Sequence, residues 1–222
     1  MSRSSLLAKL ERMVVDAAPL PPGTPDFPSF DDPVAKFREE AERVGTEVLD
    51  RLSLSEALSR VLAETGQHRL YWQGIATIEA HGIEVHWEPA DANPLLFFSD
   101  HPASSVSLPI RLASEPYTRT AVADVGVSVG SAVYGVAETG TVVETVAEGW
   151  GRVLPILAPC HVTLLSKRRL LMNQGELFQT LDLRTGGSAR LLMTGPSRTA
   201  DIEKTLILGV HGPRKLYVVV IP

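Results

Sequence analysis

Apolar positions along this chain change their spacing near residue 69. Upstream they recur every three or four residues, the period of a helix with one buried face; downstream they alternate or fall in short runs, as in strands. Leu6, Leu7, Leu10, Met13 and Val14 predict a helix over 5–17, and the proline-rich stretch 19–25 predicts an extended linker after it. Asp32-Pro33 supplies an N-cap with proline in the first turn, and Val34, Phe37, Ala41, Val44 and Val48 share one face, so a second helix is expected over 33–52. Ser53-Leu54-Ser55-Glu56 has the spacing of a capping box and opens a third helix, 54–64, closed by Gly66.

Beyond that point strands are expected at 69–72, 83–87 and 95–98, with the end of a helix at 117–123. Residues 122–146 form two β-branched, glycine-rich runs on either side of Glu138-Thr139-Gly140, the signature of a tight hairpin. A buried strand at 161–165, a helix at 175–183 and a turn at Gly186-Gly187 follow. The last stretch reads as a βαβ unit: an apolar run at 189–193, a break at Thr194-Gly195-Pro196, an amphipathic segment, and a closing run at 216–221. The pattern therefore predicts an α/β fold with a parallel βαβ unit at its C-terminal end. It divides the chain into an N-terminal helical extension with its proline-rich linker (1–60) and a main domain (61–222).

Composition narrows the partners. The 222 residues are 44% hydrophobic, enough for a substantial core, and the net charge of −5 comes from 26 acids and 21 bases spread along the chain. Without a basic stripe, nucleic acid is an unlikely target on electrostatic grounds. One cysteine, Cys160, excludes an internal disulfide and any cluster or zinc site held by several cysteines of this chain. The expected compartment is the cytoplasm. Charges at Lys9, Glu11 and Arg12 spoil a signal-peptide core, and Pro155, Pro159 and His161 interrupt the longest later apolar stretch, so no membrane span is expected.

If the βαβ reading holds, Gly195, Ser197, Arg198 and Thr199 stand between a strand end and a helix start, where free N–H groups favour a carboxylate or phosphate. The plain alternative is helix capping, since Asp201 and Glu203 already satisfy the dipole. Arg152, Arg198 and Arg214 each follow a glycine-containing break, which allows either a convergent anion site or separate ion pairs with Asp124, Asp201 and Glu203. Glu138, flanked by Thr139, Gly140 and Thr141, is a candidate base or nucleophile on an exposed turn, or simply a turn residue. Glu144 is read as a partner for Arg152. His161 opens an apolar strand and is expected to be neutral and bonded to backbone; His211 is a candidate helix cap or acid–base group. Neither histidine belongs to a recognisable metal spacing, and no metal is expected. Gly126-Val127-Ser128-Val129-Gly130 has the spelling of a nucleophile elbow but lacks the helix that should follow it. No Walker A loop or dinucleotide fingerprint is present.

Six motifs in order carry a family resemblance: Ala123-Asp124-Val125-Gly126, Ala137-Glu138-Thr139-Gly140-Thr141, Gly151-Arg152, Pro159-Cys160-His161-Val162, the run Gly195 to Glu203, and Gly209-Val210-His211-Gly212-Pro213-Arg214. Together they resemble the LUD domain family, most densely over 120–222. The resemblance implies an α/β fold with a layered, mainly parallel sheet and flanking helices, similar to the group of ribose-5-phosphate isomerase, glucosamine-phosphate deaminase and coenzyme A transferase. It also implies a non-redox subunit in an iron–sulfur L-lactate oxidation system. Clusters would sit on partner proteins, this chain would bind no cofactor, and a small organic anion or the partners would occupy the loops. The alternative is an independent transferase or isomerase of the phosphosugar or acyl-CoA type using Glu138. No catalytic set is carried over by the resemblance.

Overall fold

A computed structural model describes residues 27–67, 70–72, 84–86, 95–97, 108–112, 125–146, 154–181, 189–200 and 206–222. The expected helices at 5–17 and 117–123, the linker, and the turn at Gly186-Gly187 lie outside these residues. Helix α1 spans Pro33–Arg43, with Asp32 accepting the Ala35 N–H at 2.9 Å as its N-cap. It stops a full turn and more before the expected end at 52. Gly45 takes a left-handed φ of +90°, the Thr46 N–H turns back to the Ala41 carbonyl at 2.9 Å, and Glu47–Leu49 forms strand β1. Val48 extends the helical spacing of α1 only by coincidence: as a strand residue it points to one face of the sheet and Leu49 to the other.

Helix α2, Leu54–Thr65, has the capping box that Ser53 and Glu56 spell and ends on Gly66 at φ +65°, as expected. The boundary expected at residue 60 falls inside this helix. Strands β2 (Leu70–Trp72), β3 (Glu84–His86), β4 (Leu95–Phe97), β5 (Leu108–Leu112), β6 (Val127–Val136) and β7 (Thr141–Val146) follow. Helix α3 (Leu154–Leu157), β8 (Cys160–Ser166), β9 (Leu170–Leu171), helix α4 (Gln174–Thr180), β10 (Ala189–Met193), β11 (Arg198–Ala200), β12 (Leu206–Leu208) and β13 (Lys215–Ile221) complete the described chain.

The main sheet runs β1-β13-β8-β6-β2-β5-β4-β3, parallel from β1 to β5 and antiparallel at β4 and β3. This is the layered, mainly parallel α/β arrangement expected. Its centre is the trio β13, β8 and β6, each a run of residues buried on both sides. Cys160, Val162, Leu164, Val127, Val129, Tyr217 and Val219 pack on one face against Leu54, Ala57, Leu58, Val61 and Leu62 of α2. The opposite face carries Leu216, Val218, Val220 and Leu165 against Phe37 and Ala41 of α1, with Val142 and Met193 from β7 and β10. These last two strands pair antiparallel with each other, and β7 pairs with the second half of β6 across the hairpin expected at 138–140.

The C-terminal unit differs from expectation. Among the described residues no helix joins the two apolar runs: β11 and β12 form an antiparallel pair, Arg198 opposite Leu208 and Ala200 opposite Leu206. Both bases are pinned, since the Ser197 N–H donates to the Pro213 carbonyl at 2.8 Å and the Gly209 N–H to the Ser197 carbonyl at 2.9 Å. Residues 201–205, including Asp201 and Glu203, lie outside the described residues.

Candidate functional site

Pairing in register puts a polar patch inside the sheet. Ser128 and Gly130 of β6 lie beside His161 and Thr163 of β8, and these in turn beside Leu216 and Val218 of β13. Alternation sends Val127, Val129, Val162 and Leu164 toward α2, so the four polar or small positions share the other face. There β7 reaches them. The β6–β7 pairing shifts register between Ala132 and Tyr134, and Glu144, opposite Ala132, sends its carboxylate to β8.

Ser128, Glu144, His161 and Thr163 are all fully buried. His161 Nε2 lies 2.9 Å from Glu144 Oε1, the Thr163 hydroxyl donates to the same oxygen at 2.8 Å, and Ser128 Oγ is 2.7 Å from His161 Nδ1. With Nε2 and Nδ1 each held by a side chain, the imidazole orientation is fixed from both ends. Glu144 Oε2, by contrast, meets no hydrogen-bond partner among the described residues, and the same holds for a few other buried polar atoms such as Trp72 Nε1 and Thr46 Oγ1. A buried acceptor left unpaired costs on the order of 1–3 kcal/mol. Gly130 is required here, because a Cβ would collide with the Glu144 carboxylate. The arrangement is a buried hydrogen-bonded chain that links a hydroxyl, an imidazole and a carboxylate across three strands.

A second group gathers at the loops. Gly195 sits at φ +89° against the Val44 carbonyl, which also accepts from Arg198 Nη2 at 2.6 Å. The backbone bonds at Ser197 tie this loop to 209–214, so Gly195, Ser197, Arg198, Thr199, His211 and Arg214 belong to one neighbourhood. Arg198, His211 and Arg214 are exposed, and the Arg214 stem lies across Gly209. Among the described residues no helix borders this loop: Arg198 opens β11 directly after Ser197 and His211 sits in a bend, so neither stands at the helix terminus expected from the sequence. Thr139, Thr141 and Thr194 share hydroxyl contacts of 2.7 Å in series, joining the 138–140 turn to the same region. Gly140, at φ +64°, packs on the backbone of Ala41. The Glu138 carboxylate itself accepts from the Gln174 N–H at 3.1 Å, at the start of α4. Arg152 lies outside the described residues. Glu144, read from the sequence as its partner, engages His161 and Thr163 instead.

Residues 34–221 match the LUD domain family. The chain belongs to that family. A lactate utilization protein C of Bacillus pumilus is 25% identical over 200 residues, covering 86% of this chain and 80% of that one. Its Exiguobacterium counterpart is 29% identical over 194 residues, 83% and 76% of the two chains. The Halalkalibacterium halodurans protein of the same name is 36% identical over 104 residues, a match spanning only 44% of each chain. Among solved structures, a DUF162 family protein from Deinococcus radiodurans superposes with a TM-score of 0.52 at 17% identity, over 86% of this chain and 96% of that one, and so supports the fold.

In this LUD domain the sequence named the histidine but not its partners. His161 was expected on backbone; both of its ring nitrogens bond side chains. From the sequence, Ser128 belongs to an elbow-like spelling and Glu144 to an ion pair with Arg152, and Thr163 carries no signal of its own. A usable signal existed: Ser128 and Gly130 alternate with Val127 and Val129, just as His161 and Thr163 alternate with Val162 and Leu164. Cys160 faces the other side, where burial pushes its thiol up to about 12, so it is inert at neutral pH. The Tyr217 hydroxyl is likewise pushed up, by burial and by its hydrogen bond to Glu64.

Proposed function

We propose that this LUD domain is a non-redox component of a lactate-utilisation system in the cytoplasm, acting beside iron–sulfur partner proteins that carry the electrons. The observation behind this reading is the kinship, over some four fifths of their length, to family members named lactate utilization protein C. The chemistry of the chain agrees: its one cysteine is buried and thiol-bound to its proton, so it contributes no set of cluster ligands. Of the candidate anion loops, the one carrying Arg198, His211 and Arg214 is exposed and supports a role in meeting an organic anion or a partner. Glu138, occupied at the start of α4, gives the transferase or isomerase alternative no geometric support.

Affinity purification of the tagged chain from cells grown on L-lactate tests the reading, together with growth of a deletion strain. Recovery of iron–sulfur proteins and a growth defect specific to lactate are expected. Normal growth on lactate with no such partner recovered would remove the assignment.

A further inference from the structure

The chain ahead of Phe27 joins the domain at an uncovered apolar corner. Phe27 lays its ring against Gly175 of α4, so closely that a Cβ there would collide with it. The next carbonyl, that of Pro28, accepts at 3.1 Å from the side chain of Asn173, the buried N-cap of α4. The point where the preceding segment meets the domain is thereby fixed on this helix. Leu177 and Leu181 fill the inner side of α4 against Val136 and Val143. The outer side is open: Phe178, one turn beyond Gly175 and on the same face, is 60% exposed, and Phe27 is 38% exposed. No large apolar side chain among the described residues is more exposed than Phe178. We propose that this face of α4 is the docking site for the amphipathic segment 5–17 of the same chain.

Chemistry and reach both favour that occupant. Leu6, Leu7, Leu10, Met13 and Val14 have the spacing of one apolar helical stripe, with Lys9, Glu11 and Arg12 between them. A segment this short does not hold a helix alone in water and folds only on an apolar surface. The Phe27–Phe178 face offers one, in aromatic rings that aliphatic side chains pack against. Residues 18–26 join the two, with prolines at 19, 21, 22 and 25, and can span at most about 30 Å. So short a tether keeps the stripe beside α4 at a millimolar effective concentration, which a second copy or a separate partner in dilute solution does not match. Once seated, the segment covers the outer side of a helix whose inner side alone is packed.

Amide hydrogen exchange of the full chain, followed by mass spectrometry at two protein concentrations, tests this. Amides of 5–17 should exchange about tenfold or more slowly than in a free peptide of the same residues, and equally so at both concentrations. Phe178→Gln, polar but compatible with a helix, should return them to the rate of the peptide while β6, β8 and β13 keep theirs. Leu10→Asp should act in the other direction and speed exchange in α4, including the Leu181 amide that bonds the Leu177 carbonyl at 2.8 Å. Exchange of 5–17 at the rate of the free peptide would overturn the proposal. Protection that survives Phe178→Gln would do the same, by putting the stripe on another surface, and protection that grows with concentration would give the face to a second copy. Should Phe178→Gln disturb the central strands, Leu10→Asp decides alone, and unchanged exchange in α4 would sink the idea.

Discussion

Gly140 shows how one residue can hold two layers together. Its φ of +64° is costly for any residue with a Cβ, and that Cβ would run into the backbone of Ala41 in α1, which cannot move aside as a flexible side chain would. The hairpin turn therefore sits directly on the helix, and the Thr141–Thr194 hydroxyl contact beside it extends the tie to the loop before β11. Gly140→Ala should lower unfolding free energy by about 2 kcal/mol or more in urea titration, well beyond the ordinary cost of a surface turn substitution. A loss within about 0.5 kcal/mol would show that α1 is not seated on the turn as described.

At the scale of elements, α4 is a seven-residue helix that depends on its first turn. Asn173 caps the Glu176 N–H at 2.9 Å, Glu176 returns to the Met172 N–H at 2.8 Å, and Glu138 reaches across from the hairpin to the Gln174 N–H. Three backbone donors are thus satisfied by side chains from two elements. Glu138→Ala should cost roughly 1 kcal/mol of stability, while Glu138→Gln, which keeps an acceptor oxygen, should cost less than half as much. Equal losses in the two variants, or a functional defect without any loss of stability, would mean that Glu138 has work other than capping. The contrast with α2 is instructive, because there the capping box is local and was legible as Ser53 and Glu56, whereas the partner of Glu138 lies 36 residues away.

For the whole molecule, the central strands expose the cost of burying titratable groups on the α2 face. The thiol of Cys160 is held protonated by burial, up to about 12 from an ordinary value of 9.0, and the Tyr217 hydroxyl shifts in the same direction. Both groups bind their protons more tightly folded than unfolded. Their contribution is fully present below the unfolded value and is lost as pH rises through the folded one, so stability should decline above about pH 9. Urea midpoints measured at about pH 8 and about pH 10.5 should fall more for the wild type than for Cys160→Ala, which has no thiol to ionise. Parallel declines would show that Cys160 reaches solvent in the native state.

Local signals settled the parts of this protein that depend on neighbours in sequence: the caps of α1 and α2, the turn at 138–140, and the alternation of β6, β8 and β13. Those features rest on bonds between residues a few positions apart, or on a two-residue period that any strand imposes. Tertiary structure decided the rest. Glu47–Leu49 is a strand because β13 offers an edge, and 198–200 pairs with 206–208 because the ends of that pair are clamped by residues 209–213. The Glu144 cluster, too, needed the register of β6 against β8 and the shifted pairing of β7 with β6, since its members come from three strands and meet only through pairings the local sequence does not encode.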